Sequence, residues 1–372
     1  MENKKINIIE YKNGCKKIIL NRREALNSLT LDMINFLLKK LKEYNNDKET
    51  KFVIICSSNQ KSFSSGGDLI ELSTHSKTEG GVNSVIKQIY YLDHLIHTFK
   101  KPILSFVNGI VMGSGVGLSI HCSHRIVGDN VRWAMPENKI GFFPDVGTNY
   151  FLSRLGSIGL YLGMVGPHIK SEDLIKLNIA NCYIPSNQFE ETLNDLCNNP
   201  MIEGKNEIDS ILNKYKKELT IDKKSSHIEK YNDIIERCFN RKFKSVSEIF
   251  NNLKNEILSN PDLNEKQWAI NTLSNLESSC PTSVCISFDS IHRSLHLNIN
   301  EIFINENRIG SRIGSRQDFS QGVQKVLIDK FHKPIFSPSS IYDISQTFID
   351  SFFLPLNDKK KELTFSTLIS KL

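Results

Sequence analysis

The sequence predicts an α/β protein. In its first half, short apolar runs typical of buried strands alternate with amphipathic helical patterns, and from about residue 190 onward Lys-, Glu- and Asn-rich stretches with helical periodicity prevail. We therefore expect an α/β core over residues 1–190 and a mainly helical region over residues 191–372, packed on that core. Ligands of α/β proteins bind where strand ends and helix starts gather, so a functional site is expected in the first region.

The elements of the core follow in order along the chain. Residues 16–21 and 51–58 are predicted to be buried strands. Residues 30–44, between them, place apolar side chains on one helical face, with Thr30 as the N-cap. A further strand at 103–107 leads through a glycine turn into a second helix, and two more short strands follow, RIVGD and VRWAMP.

The composition is that of an ordinary globular protein. The 372 residues are 39% hydrophobic and 24% charged, so a large core can be buried. The net charge of +6 arises from 47 basic and 41 acidic residues that are well mixed, without the long basic stripe typical of nucleic-acid binders. No window approaches the roughly 18 to 20 uninterrupted apolar residues of a membrane span. Neither a nucleic-acid nor a membrane partner is expected.

The cysteines and the chain end bear on location. Eight cysteines are scattered without a CxxC pair, so we expect reduced thiols in an intracellular compartment and no metal site. The chain ends with Ser370, Lys371 and Leu372, a tripeptide that the peroxisomal import receptor reads. A peroxisomal location is therefore predicted. A mitochondrial location ranks second, because the N-terminus lacks an Arg/Ser-rich, acid-poor presequence.

Two glycine-bearing segments each follow a strand and lead into a helix. In FSSGGDLIEL (63–72), Gly66 and Gly67 let the backbone turn sharply, and Asp68 stands at the helix start. GIVMGSGVG (109–117) repeats the arrangement. Small residues at a helix N-terminus leave N–H donors uncovered. Two such donors aimed at one point form an oxyanion hole, which stabilises a carbonyl oxygen under attack.

Two other interpretations fit these segments less well. A dinucleotide-binding G-x-G-x-x-G that starts at Gly113 would need a glycine where Leu118 stands. A cysteine hydrolase built from Cys122 and its neighbours His121 and His124 is disfavoured, because we expect these residues inside a helix rather than at its exposed start.

The segment AMPENKIGFFPDVG (134–147) carries two acids, and each directly follows a proline. Pro136 restricts the backbone before Glu137, and Pro144 does the same before Asp145. An apolar loop pushes a carboxyl group toward its neutral form, and a second carboxylate adds to the effect, which gives a pKa suited to acid–base work near neutral pH. Two plainer interpretations stay open here: Asp145 caps the following helix, and Glu137 is a surface acid.

Taken together, these segments resemble the crotonase (enoyl-CoA hydratase/isomerase) superfamily, and within it the 3-hydroxyisobutyryl-CoA hydrolase branch. The superfamily core is matched by LNRREALNSLTLDMI (20–34), FSSGGDL (63–69), KPILSFVNGIVMGSGVGLSIH (101–121) and AMPENKIGFFPDVGTNYFLSRLG (134–156). The hydrolase branch is matched by CPTS (280–283) and DFSQGVQKVLIDK (318–330). The resemblance implies a crotonase-type spiral of ββα units that binds acyl-CoA, followed by a helical, hydrolase-type C-terminal region.

The resemblance also implies roles for residues at matching positions. The backbone N–H groups of Gly67 and Ser114 form the oxyanion hole for a thioester carbonyl, and the neighbouring substrate-binding positions are Gly66, Asp68 and Gly113. Glu137 corresponds to the acid that hydrolases and hydratases share. Asp145 corresponds to the second acid of the hydrolases, whereas Gly117 stands where hydratases carry their other Glu.

The implied activity is hydrolysis of 3-hydroxyisobutyryl-CoA, or of a close short-chain 3-hydroxyacyl-CoA, to the free acid and coenzyme A in valine and branched-chain catabolism. Coenzyme A is then part of the substrate, and no cofactor is expected. The acyl-CoA substrate is the main expected partner, and a homo-oligomer is left open. Two alternatives remain: an enoyl-CoA hydratase or isomerase, and a noncatalytic hydrolase-like protein associated with ribosomes.

Overall fold

Short strands make up the β part of the protein. The computed structural model describes residues 4–75, 81–325, 331 and 333–365. Within these residues the strands are β1 (Ile6–Glu10), β2 (Cys15–Leu20), β3 (Phe52–Ser57), β4 (Ser62–Ser64), β5 (Ile103–Val107), β6 (Ile110–Met112), β7 (His124–Val127), β8 (Arg132–Ala134) and β9 (Cys182–Tyr183).

The strands form two sheets that repeat one pattern. The larger sheet has the order β1-β2-β3-β5-β7-β9, with β1 antiparallel to β2 and every other neighbouring pair parallel. The smaller, parallel sheet has the order β4-β6-β8. Each successive pair, β3/β4, β5/β6 and β7/β8, gives its first strand to the larger sheet and its second to the smaller one. The predicted crotonase-type spiral is confirmed.

Helices account for most of the remaining chain. They are α1 (Leu31–Asn46), α2 (Leu69–His75), α3 (Asn83–His97), α4 (Ser114–Ile120), α5 (Thr148–Leu152), α6 (Gly156–Val165), α7 (Ser171–Lys176), α8 (Phe189–Asn198), α9 (Lys205–Tyr215), α10 (His227–Cys238), α11 (Val246–Ser259), α12 (Leu263–Glu277), α13 (Pro281–Arg293), α14 (Ile299–Ile313), α15 (Gln317–Val323) and α16 (Gln346–Ser351). Among the described residues, no helix is both long and apolar enough to cross a membrane.

Local sequence explains the best-predicted elements. The Thr30 hydroxyl accepts a hydrogen bond from the N–H of Met33 and caps α1, as the sequence predicts. The apolar positions of α1 are buried as one face: Met33, Ile34, Leu37, Leu38 and Leu41. Strand β3 is apolar and buried on both faces. This is typical of a strand in a parallel sheet, because other elements cover both faces of such a sheet and neither face meets solvent.

Packing groups the described chain into two compact units that interleave in sequence. The first contains the segments up to Asp68, Tyr91–Ala134 and His168–Lys230, and it holds both sheets. The second contains Leu69–Tyr90, Met135–Pro167 and the chain from Tyr231 onward, and its regular elements are helices. The predicted division of the chain near residue 190 stays a prediction.

The core of the first unit lies between the larger sheet and the pair α8 and α9. Apolar side chains from both sides meet there, among them Phe52, Ile54, Leu104, Phe106, Ile126, Leu196, Ile208 and Ile211. All eight cysteines of the protein are buried free thiols. They behave as small apolar side chains in the places where they occur.

The structure differs from the sequence prediction in two local places. Residues 110–112 form β6 where a simple glycine turn is expected, because pairing with two partner strands sustains a strand too short to show a periodicity. Cys122 lies just beyond the end of α4 rather than inside the helix, and its side chain is buried. Burial raises the pKa of its thiol to about 12, which disfavours the nucleophilic thiolate.

Asn27 holds the turn that precedes α1 against β4. Its side-chain amide donates to Ser57 Oγ and to the carbonyls of Ser62 and Phe63, and its oxygen accepts from the N–H of Arg22. We expect Asn27→Ala to lower the free energy of unfolding by about 2–3 kcal/mol, because buried partners lose their hydrogen bonds. Urea unfolding measures the loss.

The matched control is Asn46→Ala, at the exposed end of α1, where the side-chain amide donates a hydrogen bond to the Lys42 carbonyl. That change is expected to cost less than about 0.5 kcal/mol. Equal losses for the two variants would contradict the role given to Asn27.

Candidate active site

Gly67 presents a backbone N–H in the turn after β4. It pairs with Leu29 in an isolated parallel bridge. In that bridge the N–H of Leu29 donates to the Gly66 carbonyl and the N–H of Asp68 donates to the Leu29 carbonyl. The bridge thus uses the groups on either side of Gly67, so the N–H of Gly67 itself points away from Leu29.

Ser114 presents a second such donor at the start of α4. Gly113 is the N-cap, with φ +48° and ψ −126°, a conformation that is essentially restricted to glycine. Ser114 is the first residue of the helix and does not have a positive φ. A serine therefore fits this position without backbone strain, and its N–H belongs to the first turn, which has no acceptor within the helix.

The two turns lie against each other within the first unit. Gly66 has φ +105°, and a Cβ built on it would lie 3.1 Å from the Met112 carbonyl oxygen and 3.6 Å from the Ser114 nitrogen. Any side chain at Gly66 would crowd the backbone that precedes α4. The structure thus brings together Gly66, Gly67, Gly113 and Ser114, which the sequence predicts to act together.

Two neighbouring positions have structural partners. Asp68 accepts a hydrogen bond of 2.6 Å from Arg22 in a largely buried ion pair, so its carboxylate ties the turn to the segment before α1. A Cβ built at Gly117 would lie 2.6 Å from Oδ2 of Asp93, a buried acid of α3. A side chain at residue 117 would therefore require the Asp93 carboxylate to move.

Glu137 begins a short 3-10 helix (Glu137–Ile140) that directly follows Pro136. Its side chain is only 8% exposed, and among the described residues its Oε2 has no hydrogen-bond partner. Burial raises its pKa well above the usual range, and the charge of Asp145 raises the pKa further. The interpretation of Glu137 as a surface acid is therefore wrong.

The C-terminal part of the second unit fixes the turn that carries Glu137. The side-chain amide of the next residue, Asn138, donates to the carbonyls of Gly163 and Met164 and accepts a hydrogen bond from the Ser287 hydroxyl. The Asn138 carbonyl accepts from the N–H of Cys280, the first residue of CPTS. The CPTS segment thus acts directly on the backbone beside Glu137.

The DFSQG segment packs against the same 3-10 helix. A Cβ on Gly322 would lie 2.3 Å from the backbone of Ile140, and one on Gly141 would lie 2.6 Å from the backbone of Asp318. Gly141 also has φ +69°, so two separate constraints require glycine there. The close backbone contact explains why the hydrolase-type block carries glycine at residue 322.

Asp145 lies in a buried turn after Pro144, with a side chain 7% exposed. Its Oδ2 accepts a hydrogen bond of 2.8 Å from the hydroxyl of Tyr90, which is fully buried. Burial raises its pKa to about 7, although the Tyr90 hydrogen bond acts in the opposite direction. Helix α5 has Gly147 as its N-cap, and the Asp145 group that accepts from Thr148 is the carbonyl. The carboxylate therefore does not cap that helix.

The turn that carries Asp145 is held from outside. Val146 and Gly147 have φ of +54° and +73°, and a β-branched residue in this left-handed region costs roughly 1–3 kcal/mol. The N–H of Gly147 and the amide of Asn149 donate to the two oxygens of Glu306, at 2.7 and 2.9 Å. Burial and the charge of Asp145 raise the pKa of Glu306 well above the usual range.

Sequence reasoning missed Tyr90 and Glu306. Tyr90 lies in the middle of α3 and has no local signal beyond its apolar neighbours. A signal did exist for Glu306, which falls on the apolar face of α14 with Phe303 and Ile309. An acid at a buried helical position needs a partner, so the pattern alone marks it for attention.

The family model described as enoyl-CoA hydratase/isomerase matches residues 15–353. The chain belongs to the enoyl-CoA hydratase/isomerase family. A crystal structure of a carnitinyl-CoA dehydratase from Mycobacterium thermoresistibile has a TM-score of 0.86 and 25% identity, with 98% of this chain and 99% of that chain covered.

Curated relatives of this family member are hydrolases by name. The 3-hydroxyisobutyryl-CoA hydrolase, mitochondrial, of Danio rerio is 34% identical, with 93% of this chain and 88% of the relative covered. The protein of the same name from Homo sapiens is 33% identical, with 94% and 89% covered. The predicted family and its hydrolase branch are confirmed.

The predicted peroxisomal location is wrong. Both relatives are named mitochondrial, which points to mitochondria instead. A three-residue match to an import signal carries little information, because a receptor reads the tripeptide only where the chain presents it. Ser370, Lys371 and Leu372 lie outside the described residues, and no support remains for the import receptor as a partner.

The arrangement offers two chemical capabilities, one in each unit. The first unit presents two backbone N–H donors of the kind that stabilise an oxyanion. The second unit holds two buried acids with raised pKa values, of the kind that serve as a nucleophile or a general base. The roles of Glu137, Asp145, Gly67 and Ser114 in a reaction stay predictions.

The raised pKa of Asp145 predicts a dependence of stability on pH. Between its ordinary value of 3.8 and its folded value of about 7, the folded protein holds a proton that the unfolded chain has released. This group therefore stabilises the fold less as pH rises from about 4 to about 7. Asparagine does not titrate. As pH rises from 4.5 to 8, we therefore expect the free energy of unfolding of Asp145→Asn, measured in urea, to increase relative to that of wild type by on the order of 2–4 kcal/mol.

Asp233→Asn, an exposed change in α10, is the matched control and should show no such gain. If the difference in free energy of unfolding between wild type and Asp145→Asn stays constant with pH, the raised pKa of Asp145 is contradicted.

Proposed function

We propose that this protein hydrolyses 3-hydroxyisobutyryl-CoA, or a close short-chain 3-hydroxyacyl-CoA, to the free acid and coenzyme A. The relatives that bear this hydrolase name match more than nine-tenths of the chain. The observation that carries the proposal is the second buried acid, Asp145, held by Tyr90 on a turn eight residues after Glu137. The setting that this substrate implies is valine and branched-chain catabolism.

Glu137 is the group proposed to start the reaction. As a nucleophile, its carboxylate attacks the thioester carbon, the coenzyme A thiolate leaves, and water opens the resulting mixed anhydride. As a general base, it removes a proton from water that attacks the same carbon. Both routes need ionised Glu137 and pass through an oxyanion on the thioester oxygen.

The other proposed residues support that step. The N–H groups of Gly67 and Ser114 donate to the developing oxyanion, with Gly66 and Gly113 shaping the backbone around them. Asp145 orients the substrate hydroxyl or the attacking water, and its charge raises the pKa of Glu137. Asp68 supports the Gly66–Gly67 turn through Arg22. No metal or redox cofactor takes part in this scheme, and coenzyme A enters as part of the substrate.

Hydration of an enoyl-CoA is the competing activity within the family. A hydratase mechanism with two acids would need a carboxylate side chain at residue 117, where the structure has glycine against Asp93. Purified protein is therefore expected to release thiol from 3-hydroxyisobutyryl-CoA faster than it hydrates crotonyl-CoA. Faster hydration would replace the proposed function with the hydratase alternative.

The two acids give the first test of mechanism. We expect Glu137→Gln to lower kcat by about 10³-fold or more, because glutamine can neither attack as a carboxylate nor accept a proton, and Asp145→Asn by at least about 10²-fold. A thiol-release assay over a panel of acyl-CoA thioesters measures both.

Asp233→Asn is the control and should keep wild-type turnover. Wild-type turnover in both acid variants would contradict the catalytic roles proposed for Glu137 and Asp145, although the description of the fold would still hold.

The backbone donor of Ser114 can be tested by itself. Ser114→Pro removes the N–H at the first helical position, where proline is well tolerated, whereas Ser114→Ala keeps it. We expect kcat to fall by about 10²–10³-fold in the proline variant and by less than about threefold in the alanine variant. Equal turnover in the two variants would mean that this N–H has no part in the reaction.

A further inference from the structure

Glu306 of α14 is even more completely buried than the acids proposed to act in catalysis, yet nothing in the proposed reaction uses it. Its side chain is 1% exposed. Both of its oxygens accept hydrogen bonds from one short segment: Oε2 from the N–H of Gly147 and Oε1 from the amide of Asn149. These contacts span more than 150 residues of sequence and end on the turn that carries Asp145.

The amide of Asn149 serves two acceptors in that turn. Besides Glu306 it donates to the carbonyl of Pro144, at 2.8 Å, so the side chain closes the turn across Asp145. Two consecutive left-handed residues, Val146 and Gly147, lie between the ends of this closure. A backbone in that conformation keeps its shape only when its surroundings determine it. Glu306 is the residue that supplies two of the determining contacts.

The same face of α14 also supports the hydroxyl that contacts Asp145. Phe303, one turn before Glu306, packs on the ring of Tyr90 with centroids 5.7 Å apart. Gly310, one turn after Glu306, lies so close that a Cβ there would be 3.3 Å from the Tyr90 hydroxyl. One helix face therefore fixes both the backbone of Asp145 and the donor to its carboxylate.

We propose that Glu306 is a positioning residue, which holds the Pro144–Asn149 turn so that the carboxylate of Asp145 meets the Tyr90 hydroxyl in a single orientation. This inference rests on the proposed function, in which Asp145 orients the substrate hydroxyl or the water. Glu306 does not touch the reacting atoms. It acts through hydrogen bonds to Gly147 and Asn149 and through the electrostatic interaction between two buried carboxyl groups.

Glutamine cannot replace Glu306 without loss. A glutamine side chain presents one acceptor oxygen and one amide donor, whereas Gly147 and Asn149 both offer donors. If Asn149 turned its oxygen toward the new amide, the Pro144 carbonyl would lose its donor. One hydrogen bond of the turn is broken in either arrangement, and Asp145 loses its fixed position.

The experiment is a comparison of Glu306→Gln with wild type in thiol release from 3-hydroxyisobutyryl-CoA. We expect kcat to fall by about 10- to 100-fold with KM within about threefold, because a displaced catalytic group costs turnover more than binding. Glu301→Gln, the same change at an exposed position of the same helix, should keep wild-type values.

A purely structural role would not move the pH profile, which makes that profile the second measurement. Three titratable groups are linked to Glu306. Asp145 interacts with it electrostatically, and Asp145 in turn accepts the Tyr90 hydroxyl and interacts electrostatically with Glu137. Wherever Glu306 is ionised, Glu306→Gln removes a negative charge beside Asp145 and so eases the ionisation of these acids. We expect the acid limb of kcat/KM to move to lower pH in Glu306→Gln.

The Asp145→Asn background supplies the third measurement. If Glu306 acts through Asp145, Glu306→Gln should reduce the residual kcat of Asp145→Asn by less than about twofold. A full 10- to 100-fold loss in that background, or wild-type kcat and an unmoved pH profile for Glu306→Gln alone, overturns the proposal. Glu306→Asp keeps two acceptor oxygens on a shorter side chain and provides a second variant if the glutamine protein does not fold; an intermediate loss is expected for it.

Failure of the proposed function would be seen separately. Wild-type protein that releases no thiol from any acyl-CoA overturns the function, whatever Glu306 does. The contact is then judged by urea unfolding of Glu306→Gln, Asp145→Asn and the double variant at pH 8. Non-additive shifts of the unfolding midpoint support the coupling of the two residues, and additive shifts overturn it.

Discussion

Burial of carboxyl groups is the constraint on which the second unit depends. Glu137, Asp145 and Glu306 are each less than one-tenth exposed, and removing a carboxylate from water is costly unless hydrogen bonds replace the lost hydration. Asp145 receives the Tyr90 hydroxyl, and Glu306 receives two N–H groups. Glu137 has an oxygen without a partner among the described residues, and it stays chemically available at the expense of stability.

The three acids differ in how many of their carboxyl oxygens have hydrogen-bond partners, and this difference suggests different roles. A carboxyl group whose oxygens are both satisfied is a structural anchor, whereas one that keeps a free oxygen in a dry environment can react. On this basis we propose Glu306 as the structural anchor and Glu137 as the reactive group. Asp145 is intermediate in this respect: its carboxylate accepts a hydrogen bond from Tyr90, and its charge raises the pKa of both Glu137 and Glu306.

The late part of the sequence contributes to this arrangement directly. Cys280 and Ser287 fix Asn138, Gly322 packs on Ile140, and Glu306 holds the turn after Pro144. Both segments that resemble the hydrolase branch, CPTS and DFSQG, are thus among those that contact the acid-bearing segment. A helical C-terminal region that looked like an addition to the core is a structural part of the acid-bearing unit.

Local sequence was sufficient where the physical cause is local. The face and cap of α1, the buried strands β2, β3 and β5, and the glycine turns before α2 and α4 all follow from neighbouring residues. Strand β6 was missed because it is sustained by pairing with β4 and β8 and is too short to show a periodicity. The C-terminal tripeptide led to a wrong location because a match of three residues contains too little information to fix where a protein resides.

The sequence by itself determined that two proline-led acids and two glycine turns exist, because these depend on residue type and spacing. Only the tertiary structure decided that Asp145 contacts Tyr90, that Gly117 lies against the Asp93 carboxylate, and that Glu306 hydrogen-bonds the Asp145 turn. Each of these facts joins residues far apart in sequence, and a local pattern does not show which distant segment a residue is buried against or hydrogen-bonded to.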